Sequence, residues 1–464
     1  MSIQVGGTQF GAGTAELPSG SFDTASLNVG FGAPGAVTIS GAGTELNMDQ
    51  TSGGGAVSVG SGFSFGPGGS ALGSLKVIEG ATIDGGFLID VGGFSSLNPG
   101  VLEVSGAGSG IQLTCGTGCK RLGNSISGRV LDPASGLAGV NVHPGGHVSV
   151  ANGGQIVINT GIGTDNLPGF LVDGTLRVDG AGSRIALIGD GDGPLFTTVG
   201  GGNFAIGGKT LNPASVEVTN GAQIVLQGTN TVAGIAPGPT LFSPGAAGRL
   251  LVEGGGSLFD AGSLLFVGAK SDLSGPGGVG ELKVATGGRV KADLIFIGTN
   301  GTVTGGGGTL EGMVEVHGML APGSSPGTMN IEGDLNLTSD GHVLIEIAGN
   351  TPGLQYDVLN VSGAANLDGT LEIVLLDGFT PGDTDTFDFI NALSFIGSFD
   401  NLILPTFGSG KTFALNFGPA GITAAVSAVP VPAALPLLAS ALLFGGVAAR
   451  RTRHCHGTRC ELSL

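Results

Sequence analysis

Apolar and polar residues alternate in short runs along most of the chain, and one phrase recurs: a small residue, an x-Φ-x-Φ run, a glycine-rich turn, then another apolar position. It reads GAVTISGAGTEL at 35–46, GSLKVIEGATI at 73–83, GVLEVSGAGSGI at 100–111 and GHVSVANGGQI at 146–156. It returns as GTLRVDGAGSRI at 174–185, ASVEVTNGAQI at 214–224, GRLLVEGGGSL at 248–258 and GELKVATGGRV at 280–290. The second apolar residue of each copy gives the anchors Ile39, Val77, Val104, Val150, Val178, Val218, Val252 and Val284, separated by 38, 27, 46, 28, 40, 34 and 32 residues. A period of 2 within each copy predicts strands, and the loose spacing between copies predicts turns of variable length. Strands of four to six residues cannot bury a core alone. Stacking them does, because the inward Val, Leu and Ile of one rung cover those of the next. The expectation is an all-β parallel β-helix, or β-solenoid.

Composition fits that architecture. Of 464 residues 95 are glycine, yet only 22 are proline and the glycines have no three-residue period, which excludes collagen. With 11% charged and 41% hydrophobic residues the chain is not of the disordered, highly charged class. Glycine is expected at tight corners, where it supplies positive φ without a Cβ penalty, and the Gly305–Gly308 run is expected to be a loop. Between 306 and 427 the strands lengthen, and eight of the 23 phenylalanines fall from Phe379 to Phe417. That stretch is expected to close an end of the stack whose backbone would otherwise be exposed to other chains. The organisation read from the chain is a glycine-rich repeat solenoid over 1–305, a capping section over 306–427, an apolar segment with an Arg cluster over 428–453, and a tail over 454–464.

The net charge is −18. Up to residue 449 the chain carries 13 basic against 34 acidic residues, a net −21, because Arg450, Arg451, Arg453 and Arg459 lie at the end with only Glu461 opposing them. Such a body repels phosphate backbones, so nucleic acid is not an expected partner. It attracts cations.

Two stretches carry resemblances. LAPGSSPGTMNIEGDLNL followed by YDVLNVSGAANLDGTLEI resembles the C-terminal part of autotransporter passenger domains, which implies a right-handed parallel β-helix. The usual outer-membrane barrel of that group is absent from the roughly 60 residues after 405. VPVPAALPLLASALLFGGVAARRTR, from Val429 to Arg453, resembles the VPLPA variant of the PEP-CTERM sorting signal, with Val431 in place of the usual Leu. In that resemblance Val429, Pro430, Val431, Pro432 and Ala433 form the sorting motif, Ala433–Ala449 is a transmembrane helix, and Arg450, Arg451 and Arg453 are the membrane stop. It implies recognition by an exosortase, a membrane transpeptidase-like enzyme of polysaccharide-producing Gram-negative bacteria. Export then leads to the cell surface or the extracellular matrix, where the resemblance implies extracellular polysaccharide as a further partner. Here HCHGTRCELSL extends past the Arg cluster, and MSIQVGGTQFGAGTAELPSG has neither a basic n-region nor an apolar h-region. Export therefore predicts a true start upstream of Met1.

Candidate chemistry is sparse. No HExxH occurs, and with 95 glycines isolated matches to Gly-rich motifs are expected by chance, so no G-x-S-x-G elbow, P-loop or dinucleotide fingerprint is read from them. His143 and His147 flank HPGGH, and with His317 and His342 they read as outward residues on rungs. Asp190 and Asp192 in GDGDG could ligate calcium, although the tandem repeat of a calcium β-roll is missing, and a turn with solvated carboxylates is the preferred reading. His454, Cys455, His456 and Cys460 could clip a metal, and Cys115 with Cys119 could close a small loop. No second ligand set of zinc-site spacing accompanies them. No cofactor is expected. The function expected is a non-enzymatic surface or matrix protein, structural or adhesin-like. The alternative is a β-helix polysaccharide lyase or hydrolase, which the lack of Trp, the single Tyr and the scattered basic residues disfavour.

Overall fold

A computed structural model describes residues 2–7, 12–31, 33–48, 55–60, 71–86, 88–92, 99–114, 138–161, 168–189, 204–207, 214–228, 231–236, 247–269, 276–323, 326–408, 410–419 and 421–428. All regular structure among them is β, and the strands form a parallel solenoid with three faces per rung. The first face is a 14-stranded parallel sheet that runs from Gly13–Leu17 through Gly35–Ser40, Gly73–Ile78 and Gly100–Ser105 to Thr370–Leu375 and Asn401–Ile403. The second and third faces belong to one 27-stranded sheet, because the long strands Arg289–Ile297 and Gly308–Val316 bend round the corner between them.

All eight phrases lie across the first face and the corner that follows it. Their anchors form one inward column: Ile39 stacks on Val77, Val77 on Val104, and so on to Val252 on Val284. Each anchor is fully buried. A second column two residues earlier, Val37–Leu75–Leu102–Val148–Leu176–Val216–Leu250–Leu282, is buried alike. At about 1.5–3 kcal/mol for each fully buried aliphatic side chain, these columns offset the entropy of ordering so glycine-rich a chain. Strand lengths reach nine residues, longer than the four to six read from the phrases, where one strand serves two faces.

The glycines divide into two physical classes. The phrase turns use positive φ, as at Gly180 (+87°) and Gly182 (+84°). The glycine that opens a first-face strand has an ordinary φ and is needed for close approach instead: a Cβ on Gly100 would lie 2.2 Å from the Val59 carbonyl oxygen of the preceding rung. The Gly305–Gly308 run is a corner of the solenoid rather than a loop, since a Cβ on Gly305 would sit 1.8 Å from the Val284 oxygen.

Successive turns alternate between two forms. One is Gly-Ala/Gly-Gly-Ser/Thr, at 41–44, 106–109, 180–183 and 254–257. The other begins with a non-glycine residue at positive φ, Glu79, Asn152, Asn220 or Thr286, and continues with glycine. The serine of the first form joins the two: Ser183 Oγ donates to Asp179 O (2.7 Å) and accepts from Gly153 N–H of the rung before (3.0 Å). Ser109 does the same between Ser105 and Gly80, and Ser257 between Glu253 and Gly221. The structural repeat over this region is therefore two rungs.

At the C-terminal end Gly421–Ala428 adds to the second face antiparallel to Thr386–Asn391, and Lys411–Phe417 pairs antiparallel with it in turn. Phe387 beneath them meets Tyr356, Phe379 and Phe413 edge-on at 5.3, 6.3 and 5.7 Å. The hairpin covers the second face only. On the first face Leu402 stacks on inward-facing Leu371 yet is 47% exposed.

Candidate functional site

Besides the first-face cluster in which Asp179 meets Thr219, Asn220 and Arg177, and Arg177 meets Glu217, polar side chains gather at four places among the described residues. The densest lies outside the second face, where Asp260, Lys291, Glu311 and Glu332 are in register on successive rungs. Arg289 Nη1 reaches Glu311 and Glu332, each at 2.7 Å, and Lys291 Nζ lies 3.7 Å from Asp260 and 3.8 Å from Glu311. Hydrogen bonds to Glu311 and then Glu332 raise the Arg289 guanidinium above its ordinary value. Glycosidase chemistry needs two carboxyl groups whose environments push their proton affinities apart. Here both are held by the same cation, and the arrangement is an ion-pair lattice between rungs.

The second place is on the third face. Leu88–Val91 would show Asp90 to solvent in a bare sheet, but all four of its residues are buried. Asp90 Oδ1 accepts from Asn141 Nδ2 of the next rung (2.9 Å) and lies 3.4 Å from His143 Nε2. His147 is on the first face, where it meets the Thr175 hydroxyl, so the fold separates the two histidines of HPGGH. His317 pairs with Glu315 (2.7 Å) and packs on Phe296, and His342 lies 3.0 Å from Glu372.

The third is Asp357, fully buried in the YDVLNV stretch. Its Oδ1 accepts from Gly327 N–H and its Oδ2 from Glu346 N–H, both at 2.8 Å, which ties Gly327 and the first-face strand His342–Ile347 to the start of Val358–Val361. Burial pushes its carboxyl up to about 6 against those two donors. The fourth is a shallow depression of about 280 Å³ on the second face around Gly110.

No group of three His, Cys, Asp or Glu able to hold a metal occurs among the described residues. Asp190 and Asp192, the motif Val429–Ala433, the arginines 450, 451 and 453, and the Cys and His residues at 115, 119 and 454–460 lie outside the described residues. No helix among the described residues is long and apolar enough to cross a membrane. Asp90 and Asp357 were not singled out by the sequence pattern: each is one acid in an apolar run, and only the register shows what covers it. No protein-family model matches the chain, and comparison with curated proteins finds no match.

Proposed function

We propose that this protein is an exported, non-enzymatic element of the cell surface or extracellular matrix, structural or adhesin-like, delivered through its C-terminal segment. The observation that carries the reading is the order of parts after the solenoid: VPVPA, an uncharged span and an Arg cluster, following a body of charge −21. The 17 residues of Ala433–Ala449 make a helix of about 25 Å, close to the hydrocarbon thickness of about 30 Å, and including Val429 makes the span adequate. Pro436 falls in the first turn of a helix that begins at Ala433, where a missing amide donor is tolerated. Arg450, Arg451 and Arg453 stay on the cytoplasmic side and leave the acidic body outside. An exosortase-type transpeptidase then processes the chain near VPVPA. The stacking of parallel rungs along one direction suits an extended role. Deleting residues 429–464 should move the protein from the envelope fraction to periplasm or medium. Unchanged fractionation would sink the sorting claim.

A further inference from the structure

The turn before each second-face strand is followed by one outward position that normally carries a side chain. In the Gly-x-Gly-Ser/Thr form it holds Glu45, Arg184 and Leu258. After the turn at 106–109 it holds Gly110. Nothing in the backbone asks for glycine there: its φ is not in the left-handed region, and a Cβ would meet only the Gln155 carbonyl oxygen at 3.6 Å, an ordinary contact. The missing side chain leaves the depression of about 280 Å³. Register places Thr82 and Gln155 on either side of Gly110, with Asp84, Gln112 and Val157 as the next outward column. Two strand spacings set the walls about 10 Å apart.

Its lining selects a ligand class. Two primary amides, a hydroxyl and a carboxylate offer donors and acceptors together, and Val157 adds an apolar contact. The side chains of Thr82, Gln112 and Gln155 make no hydrogen bond to other described residues. Hydroxyl groups, which also donate and accept, match this set. Asp84 and the acidic body oppose an anion. The volume is at the lower limit for small-molecule pockets, about 300 Å³, so it suits one ring of a longer chain.

We propose that the depression around Gly110 is a subsite for one ring of a neutral, hydroxyl-rich polymer, an uncharged polysaccharide. The proposal deepens the matrix reading and rests on it for the polymer's presence. The purified full chain in detergent would be titrated with neutral hexasaccharides, α- and β-linked glucans and a galactan, and with a hexauronate, using calorimetry and saturation-transfer NMR. At least one neutral hexasaccharide should bind saturably and the hexauronate should not. Gly110→Leu fills the space with a residue that the sister copy tolerates at Leu258, so it should keep the parent melting transition and lose about tenfold or more in affinity. Gln112→Ala combined with Gln155→Ala should lose a similar factor by removing hydrogen bonds while leaving the space open. No saturable neutral binding, equal uronate binding, or binding unchanged in both variants overturns the proposal. Fractionation of the 429–464 deletion does not depend on the groove, so failure of the subsite and failure of the sorting reading are separately visible.

Discussion

Asp357 is the residue at which burial and hydrogen bonding oppose each other most directly. Two backbone donors favour its carboxylate, yet full burial costs the charged form more, and the group titrates near 6 instead of 3.8. The folded chain therefore holds this proton more tightly than the unfolded chain does. The stability this contributes is complete below about pH 4 and is lost as pH rises through 6, by up to about 3 kcal/mol. Glu346, whose amide donates to Asp357 and whose charge also disfavours ionisation, adds to the same trend. Asp357→Asn keeps the shape and cannot ionise, at a cost of about 1 kcal/mol for the donor it no longer accepts. Chemical denaturation of both proteins from pH 4 to 7 should show a loss in the parent that is absent from the variant; parallel curves would assign the pH dependence elsewhere.

The paired turns show what a glycine-rich phrase encodes at the scale of an element. Ser183→Ala leaves Gly153 N–H and the Asp179 carbonyl without their partner in a turn where Ser183 is 1% exposed. A loss of about 2 kcal/mol is expected. Deuterium uptake should accelerate in peptides covering 152–156 and stay unchanged around Gly221, which Ser257 serves; uniform acceleration would mean that the serine acts only on global stability. The strands themselves were legible in the sequence, because alternation at period 2 is a local property and every phrase anchor is a core residue. The two-rung repeat was present there too, in GAGS and NGGQ, but its meaning depends on a bond between rungs about 30 residues apart. The second and third faces were harder to read, since segments of variable length separate them. For the same reason the in-register Glu311 and Glu332, and the buried Asp90, appear in the sequence as ordinary solvated acids. The vacancy at Gly110 is invisible among 95 glycines until the sister turns are aligned.

A solenoid distributes stability along one dimension, so its ends decide where opening begins. In the first described rung the side chains that cover the core, Ile3, Ala15, Leu17 and Phe22, are only partly buried. Near the far end Phe387, Phe389 and Ile390 are fully buried, the strand that carries them pairs on both sides, and a cluster of aromatic edges packs below. Contacts absent from the first rung are thus present at 386–391. Among the described residues, opening should start at the rung that carries Ile3, Leu17 and Phe22 and propagate inward, with the exposed first-face strand Asn401–Ile403 as a separate site of local fraying. Hydrogen exchange on the full chain tests this polarity. Peptides over 13–24 should exchange before those over 386–391 and 421–428, and sub-denaturing urea should widen the gap as further N-terminal rungs open. The reverse order, or equal protection at both ends, would show that the C-terminal hairpin and its aromatic cluster do not act as a cap.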